Sequence, residues 1–129
     1  MIIHLDEDIF NVVKNGTKTV EVRLYDEKRK NIKVGDKLTF LKRPLDLETI
    51  DVVVTKLEVF DSFNSLVDKY DMKDIYLENA SRDDYLKLME RFYSKEDELK
   101  YGVLAISYEV MWWREVQEYY HTSLKMVSY

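Results

Sequence analysis

The chain has no cysteine, one proline, three glycines and two histidines in 129 residues. Without thiols, disulfides and thiolate metal sites are excluded. His4 and His121 stand far apart, with no ligand spacing between them, so no metal and no cofactor is expected. The glycines form no phosphate loop, because Gly-x-x-x-x-Gly-Lys-Ser/Thr is absent. No apolar run approaches the ~20 residues that a membrane helix needs. The start, Met1-Ile2-Ile3-His4-Leu5-Asp6, lacks a basic region followed by an apolar stretch, so no secretory signal is expected. These absences make a cytoplasmic protein with no membrane partner the simplest expectation.

What is present fits one globular domain: 46% apolar and 35% charged residues in a single-domain length. The formal net charge of −5 is unevenly spread. Residues 14–43 carry ten Lys or Arg against four acids, a local +6 that leaves −11 for the remainder. A basic patch on an acidic body suits a local anionic ligand. It suits wrapping of a duplex poorly, because the acidic remainder repels the phosphate backbone. The plain alternative is a solvated, Lys-rich hairpin.

Asp6 is placed to cap a helix over about 7–15, in which Ile9, Phe10 and Val13 recur at helical spacing and Gly16 follows as a stop. Residues 18–24 read as a strand, 25–33 as a charged connection, and Gly35-Asp36 as a turn into a strand at 37–42 that Pro44 ends. Residues 49–60 form the longest strand candidate. Ile50, Val52 and Val54 share one parity, Leu57 and Val59 the other, so a bulge near Thr55 is required to keep one apolar face. Ser62, Ser81 and Ser94 are candidate caps. The second precedes an amphipathic stripe of Tyr85, Leu88, Met89 and Phe92. Gly102 opens a last apolar strand to about 109. Strands with inserted helices and no βαβ rhythm predict an α+β fold.

The segment Gly16-Thr17-Lys18-Thr19-Val20-Glu21-Val22-Arg23 gathers an ammonium, a carboxylate and a guanidinium within six residues. On a strand, Glu21 and Arg23 share a face about 7 Å apart along the backbone, while Val20, Val22 and Leu24 take the other, the natural core face. One reading is a solvated polar face with a weak ion pair. The other is a fixed pair at the floor of a cleft, where Arg23 offers a planar fork to phosphate or a base edge and Glu21 holds the fork or accepts from exocyclic amino groups. Lys18 has the parity of the core valines. Burial would be expensive, so its head is expected to leave the core face at the mouth of the strand. Partial desolvation there would lower its pKa toward that of a base or nucleophile.

The pattern Gly-x-Lys-x-x-Glu-x-Arg resembles the signature of the ASCH family, a branch of the PUA-like β-barrels. Leu24-Tyr25-Asp26-Glu27-Lys28-Arg29, Val34-Gly35-Asp36, Leu38-Thr39-Phe40 and Tyr101-Gly102-Val103-Leu104-Ala105-Ile106 are similar to its following turns and strands. The resemblance implies an α+β PUA-like mixed β-barrel with flanking helices over residues 1–109, with 110–129 as a C-terminal extension. It implies a ligand cleft holding RNA or a nucleotide, with Lys18, Glu21 and Arg23 in it and Arg29 and Lys30, beside Lys28, at its rim. Acetylcytidine-hydrolysing relatives of this family carry a catalytic lysine at the position of Lys18, a threonine three residues later and a glutamate far downstream. Here Glu21 stands where that threonine would be, and Glu78 is the candidate for the downstream acid. Amidohydrolysis of a modified nucleoside and RNA cleavage are thus the catalytic alternatives to simple binding. A third is a protein-interaction module. The tail Met111-Trp112-Trp113-Arg114 to Tyr119-Tyr120 carries aromatics that pack on the domain, join two copies in a homodimer, or stack bases.

Overall fold

The computed structural model describes residues 1–112. Its elements in chain order are β1 (Ile2–Leu5), α1 (Glu7–Lys14), β2 (Val20–Leu24), β3 (Lys37–Lys42), β4 (Thr49–Phe60), α2 (Phe63–Lys69), α3 (Met72–Ile75), α4 (Arg82–Phe92), α5 (Lys95–Tyr101) and β5 (Val103–Val110). The expected extension 110–129 lies outside the described residues apart from its first three. Of these, Val110 ends β5, and the Met111 N–H donates to the Asp51 carbonyl at 2.8 Å.

One five-stranded sheet runs in the order β1-β3-β4-β5-β2. β1 lies parallel to β3 and every other pair is antiparallel. The sheet curls into a half-barrel and leaves β1 and β2 as its two edges. β1 was not legible as a strand, since four residues are too few to display a period.

The bulge is where the apolar parity requires it. The β4–β5 register shifts between Val54 and Lys56, so Thr55 is the extra residue. Val54 faces Tyr108 before the shift and Leu57 faces Ile106 after it. The bulge thereby turns Leu57 onto the same core as Val54 while the strand bends, whereas Val59 further along is exposed.

Two cores result. The concave side of the sheet is filled by Phe40, Val52, Val54, Leu104 and Ile106, with Phe10 and Val13 of α1 packed against them. On the convex side, Val20, Val22, Val103 and Ala105 meet Phe63, Leu66 and Tyr85 of α2 and α4. The helices begin as the sequence indicates: Ser62, Ser81 and Ser94 accept from the backbone N–H of Ser65, Asp84 and Asp97 at 3.0–3.1 Å. Glu98 adds a contact that no local pattern announces. Its buried carboxylate accepts from the Phe63 N–H at 2.7 Å and fixes the start of α2.

Candidate functional site

β2 begins at Val20, not at residue 18. This matters because Lys18 and Thr19 are then held by other partners. The Lys18 N–H donates to the Val12 carbonyl at the end of α1, and the Lys18 carbonyl accepts from the Tyr108 hydroxyl, each at 3.0 Å. The Thr19 N–H donates to the Asp74 carbonyl of α3. A backbone clamped on these sides fixes the direction of the Lys18 side chain.

That side chain departs from the expectation of a head reaching solvent. Lys18 is only 2% exposed. Its ammonium leaves the convex core by crossing to the other side of the chain. There it donates to the Val20 carbonyl, to the Ile75 carbonyl at 2.9 Å and to Glu21 Oε1 at 3.1 Å. Three N–H donors thus meet three acceptors, which is how so buried an ammonium is tolerated. Burial depresses its pKa, and attraction to Glu21 offsets only part of that effect.

Glu21 and Arg23 share a face, as strand parity predicts, and that face is the concave one. Glu21 is opposite Ile106 and Arg23 opposite Leu104, both core residues. The reading as a solvated polar face is therefore overturned for Glu21, which is buried. Its Oε2 accepts from Arg23 Nη2 at 2.9 Å and Nε at 3.2 Å, and its Oε1 accepts from Lys18 and, weakly, from the Val22 N–H at 3.3 Å. Burial alone would raise the Glu21 pKa, but the two cations outweigh it and hold the carboxyl below its usual range. With both oxygens engaged twice, Glu21 has no acceptor capacity left for a ligand. It acts as a strut between two cations. Burial likewise opposes the charge on Arg23, and Glu21 more than restores it, with the Tyr93 hydroxyl adding to the effect.

Arg23 also reaches across the open seam. Its Nη2 donates to the His4 carbonyl of β1 at 3.4 Å, a long contact. Along this seam lies a cavity of about 430 Å3. Its walls are β1, β2, the first turn of α1, the end of α3 and one face of α4. Lys18, Glu21 and Arg23 all line it. A second, more open hollow of about 360 Å3 beside Asn31, Asp36 and Lys37 contains none of them.

Arg29 lines the cavity, tied to Asp26 at 2.8 Å, and its Nε is buried without a hydrogen-bond partner. Lys28 also lines it. Lys30 does not; it is exposed and pairs with Glu27 at 3.2 Å. Glu78 is exposed in the connection after α3 and is not among the cavity-lining residues. Arg43 joins the rim from the connection after β3, where only its place in the basic segment drew attention. Among the described residues no ion pair engages Lys28 or Arg43. Asp6 and Asp8 give the cavity an acidic side at the start of α1. Tyr76, Tyr85, Phe92 and Tyr93 supply an aromatic side. Helical periodicity identified Tyr85 and Phe92 as one face of a helix, but gave no sign that this face walls a cavity. Among the described residues, no group of His, Asp and Glu is arranged to hold a metal. No helix there is long and apolar enough to cross a membrane.

The half-barrel is shared with solved structures. Hypothetical protein PH0355 is 32% identical, with a TM-score of 0.72 over 84% of this chain and 96% of that one. Protein PF0455 from Pyrococcus furiosus is 30% identical, with a TM-score of 0.65 over 86% of this chain and 98% of that one. A mutant of ZmASCH from Zymomonas mobilis is 14% identical, with a TM-score of 0.61 over 91% and 76%, and so shares the fold alone. No curated protein matches the chain. Residues 3–111 match the ASCH domain, and the curled sheet with its five helices among the described residues is the PUA-like fold. The chain belongs to the ASCH domain family, which is associated with RNA binding.

Proposed function

We propose that the seam cavity binds a nucleotide unit of single-stranded or looped RNA, in the manner of a cytoplasmic RNA-associated protein. The observation that carries this reading is the guanidinium of Arg23. It is lodged between a buried carboxylate and the opposite edge strand, on the wall of a cavity of nucleotide-accommodating size. Held on one edge by Glu21, the fork presents its remaining donors to a phosphate or a base carbonyl with little orientational freedom left to lose. Lys28, Arg29 and Arg43 supply positive charge at the rim for phosphate, and the aromatic side supplies stacking faces. Lys18 acts through Glu21: its three N–H groups are already engaged, so its part is to position the strut.

Hydrolysis of a modified nucleoside has one observation in its favour, the buried Lys18 with its depressed proton affinity. Against it, that ammonium has no free N–H and Glu78 is exposed and does not line the cavity. Turnover of acetylcytidine that a Lys18→Met variant loses would reverse this preference.

Binding is tested by fluorescence anisotropy with a labelled degenerate ribohexamer. Arg23→Lys keeps the charge and loses the Glu21-held guanidinium with its remaining donors, and is expected to weaken binding about tenfold, the scale of one charge-assisted hydrogen bond. Three rim cations on phosphates predict a log–log salt slope of about −2 for a single strand. Unchanged affinity in Arg23→Lys, or affinity indifferent to salt, refutes the assignment.

A further inference from the structure

The amphipathic stripe of α4 has a use that core packing does not exhaust. Tyr85, Leu88, Met89 and Phe92 all line the seam cavity. Along the helix they pass from buried Tyr85 through half-buried Leu88 and Met89 to Phe92, which is 64% exposed. Leu88 and Phe92 are four residues apart and so lie on one face, one turn from each other. The stripe therefore starts at the cavity floor and emerges at its mouth as an uncovered aromatic ring. The basic rim belongs to the same cavity: Lys28 and Arg43 line it, are exposed and engage no carboxylate among the described residues.

From this juxtaposition we infer that Phe92 is a stacking platform for a second base, so that the cavity takes an oligonucleotide and not a free nucleotide. This rests on the reading of the seam cavity as a nucleotide site. One nucleotide enters the cavity beside Arg23. The neighbouring base leaves along α4 and lays its π-face on the Phe92 ring, and the connecting phosphates run past the rim cations. The occupant is single-stranded RNA on grounds of charge and shape together. A flat apolar ring on a cavity also lined by Lys28 and Arg43, which have no ion pair among the described residues, matches a polyanion with exposed aromatic faces. Duplex hides those faces in its stack. A protein partner would need a broader apolar surface than one ring with charges around it.

The ring is exposed, so Phe92→Ala is expected to fold as wild type does. Binding is measured by anisotropy with a labelled degenerate ribohexamer and by chemical-shift titration with the four nucleoside 5′-monophosphates. Phe92→Ala should weaken the hexamer about tenfold, as loss of one base–aromatic stack does, and leave the best monophosphate unchanged. Phe92→Tyr should retain hexamer affinity, and Leu99→Ala, at another exposed apolar residue outside the cavity lining, should match wild type. Hexamer affinity unchanged in Phe92→Ala overturns the platform even where Arg23→Lys still weakens binding. Equal losses for hexamer and monophosphate overturn it too, because Phe92 would then belong to the first nucleotide's site. Failure of wild-type protein to bind either probe removes both the platform and the reading on which it rests.

Discussion

Removing the Glu21 carboxylate tests the central arrangement of this protein most directly. Glu21→Ala leaves two cations without their shared counter-ion. Their side chains are 1% (Lys18) and 22% (Arg23) exposed, so they respond differently. Arg23 can turn into the open cavity and recover water. Lys18 cannot, and retains only the Val20 and Ile75 carbonyls. Stripping one partner from a buried pair costs about 3–5 kcal/mol, and with Arg23 free to relax the lower end applies, about 3 kcal/mol. With a urea m-value of about 1–3 kcal/mol/M for a domain of this size, the unfolding midpoint should fall by about 1–3 M with m unchanged. A pH signature follows. Without the carboxylate, desolvation of Lys18 goes unopposed, and its proton affinity drops below even the depressed value of the intact protein. The unfolded chain holds that proton up to the ordinary value of 10.5, so the native state binds fewer protons. Stability of Glu21→Ala should therefore rise with pH over a window that ends near 10.5 and starts at lower pH than in wild type. The double variant Glu21→Ala/Lys18→Met, which removes the stranded ammonium, should be more stable than Glu21→Ala alone. A loss below about 1 kcal/mol, with no coupling to Lys18, would mean an ordinary solvated pair and would refute the reasoning.

In the intact protein the Glu21 carboxyl is held below its ordinary value of 4.5, so its contribution is complete above that value and is lost as pH falls through the depressed one. Urea midpoints between pH 5 and 2 should accordingly fall more steeply for wild type than for Glu21→Gln, and parallel curves would count against the ion cluster. Gly102→Ala should destabilise more than Gly16→Ala. Gly102 has φ 75° and ψ −176°, a region that essentially only glycine occupies, and an added Cβ would lie 2.9 Å from the Phe60 carbonyl oxygen, whereas Gly16 opens onto free space. Thermal melts should separate the two by about 1–3 kcal/mol, and equal melting temperatures would remove the close approach as a cause.

Parity and capping chemistry are local, and the local parts of this fold were legible. The opposed parities of Val54 and Leu57 demanded an extra residue near Thr55, and the register shift is there. Serines three residues ahead of a free N–H marked the starts of α2, α4 and α5. What escaped was decided by distant partners. β1 is a strand because β3 lies beside it, and nothing in Ile2–Leu5 itself encodes that pairing. The α4 stripe has the spacing of a core-facing helix, but periodicity gives the direction of an apolar face and not what covers it. Lys18 was assigned by strand parity to one side, yet the strand begins two residues later, and parity has no authority outside a strand.

The same limit explains the ion cluster. Parity put Glu21 and Arg23 together without telling whether their side of the sheet meets water. Strand order and the bulge decide that. Across the sheet Glu21 stands in a row with Ile106 and Leu57, and Arg23 in a row with Leu104 and Val59. A lone carboxylate beside Ile106 and Leu57 would take up a proton, because burial disfavours its charge and nothing in that row favours it. To remain ionised there it needs cations supplied from outside the row. Arg23, two residues along on the same face, supplies one from the seam. Lys18 supplies the other only because its backbone lies off the strand and its side chain is free to cross over. The spacing of Lys18, Glu21 and Arg23 is therefore the arrangement that keeps a carboxylate charged inside a curled sheet, and the charged carboxylate in turn aims the guanidinium along the gap between β1 and β2.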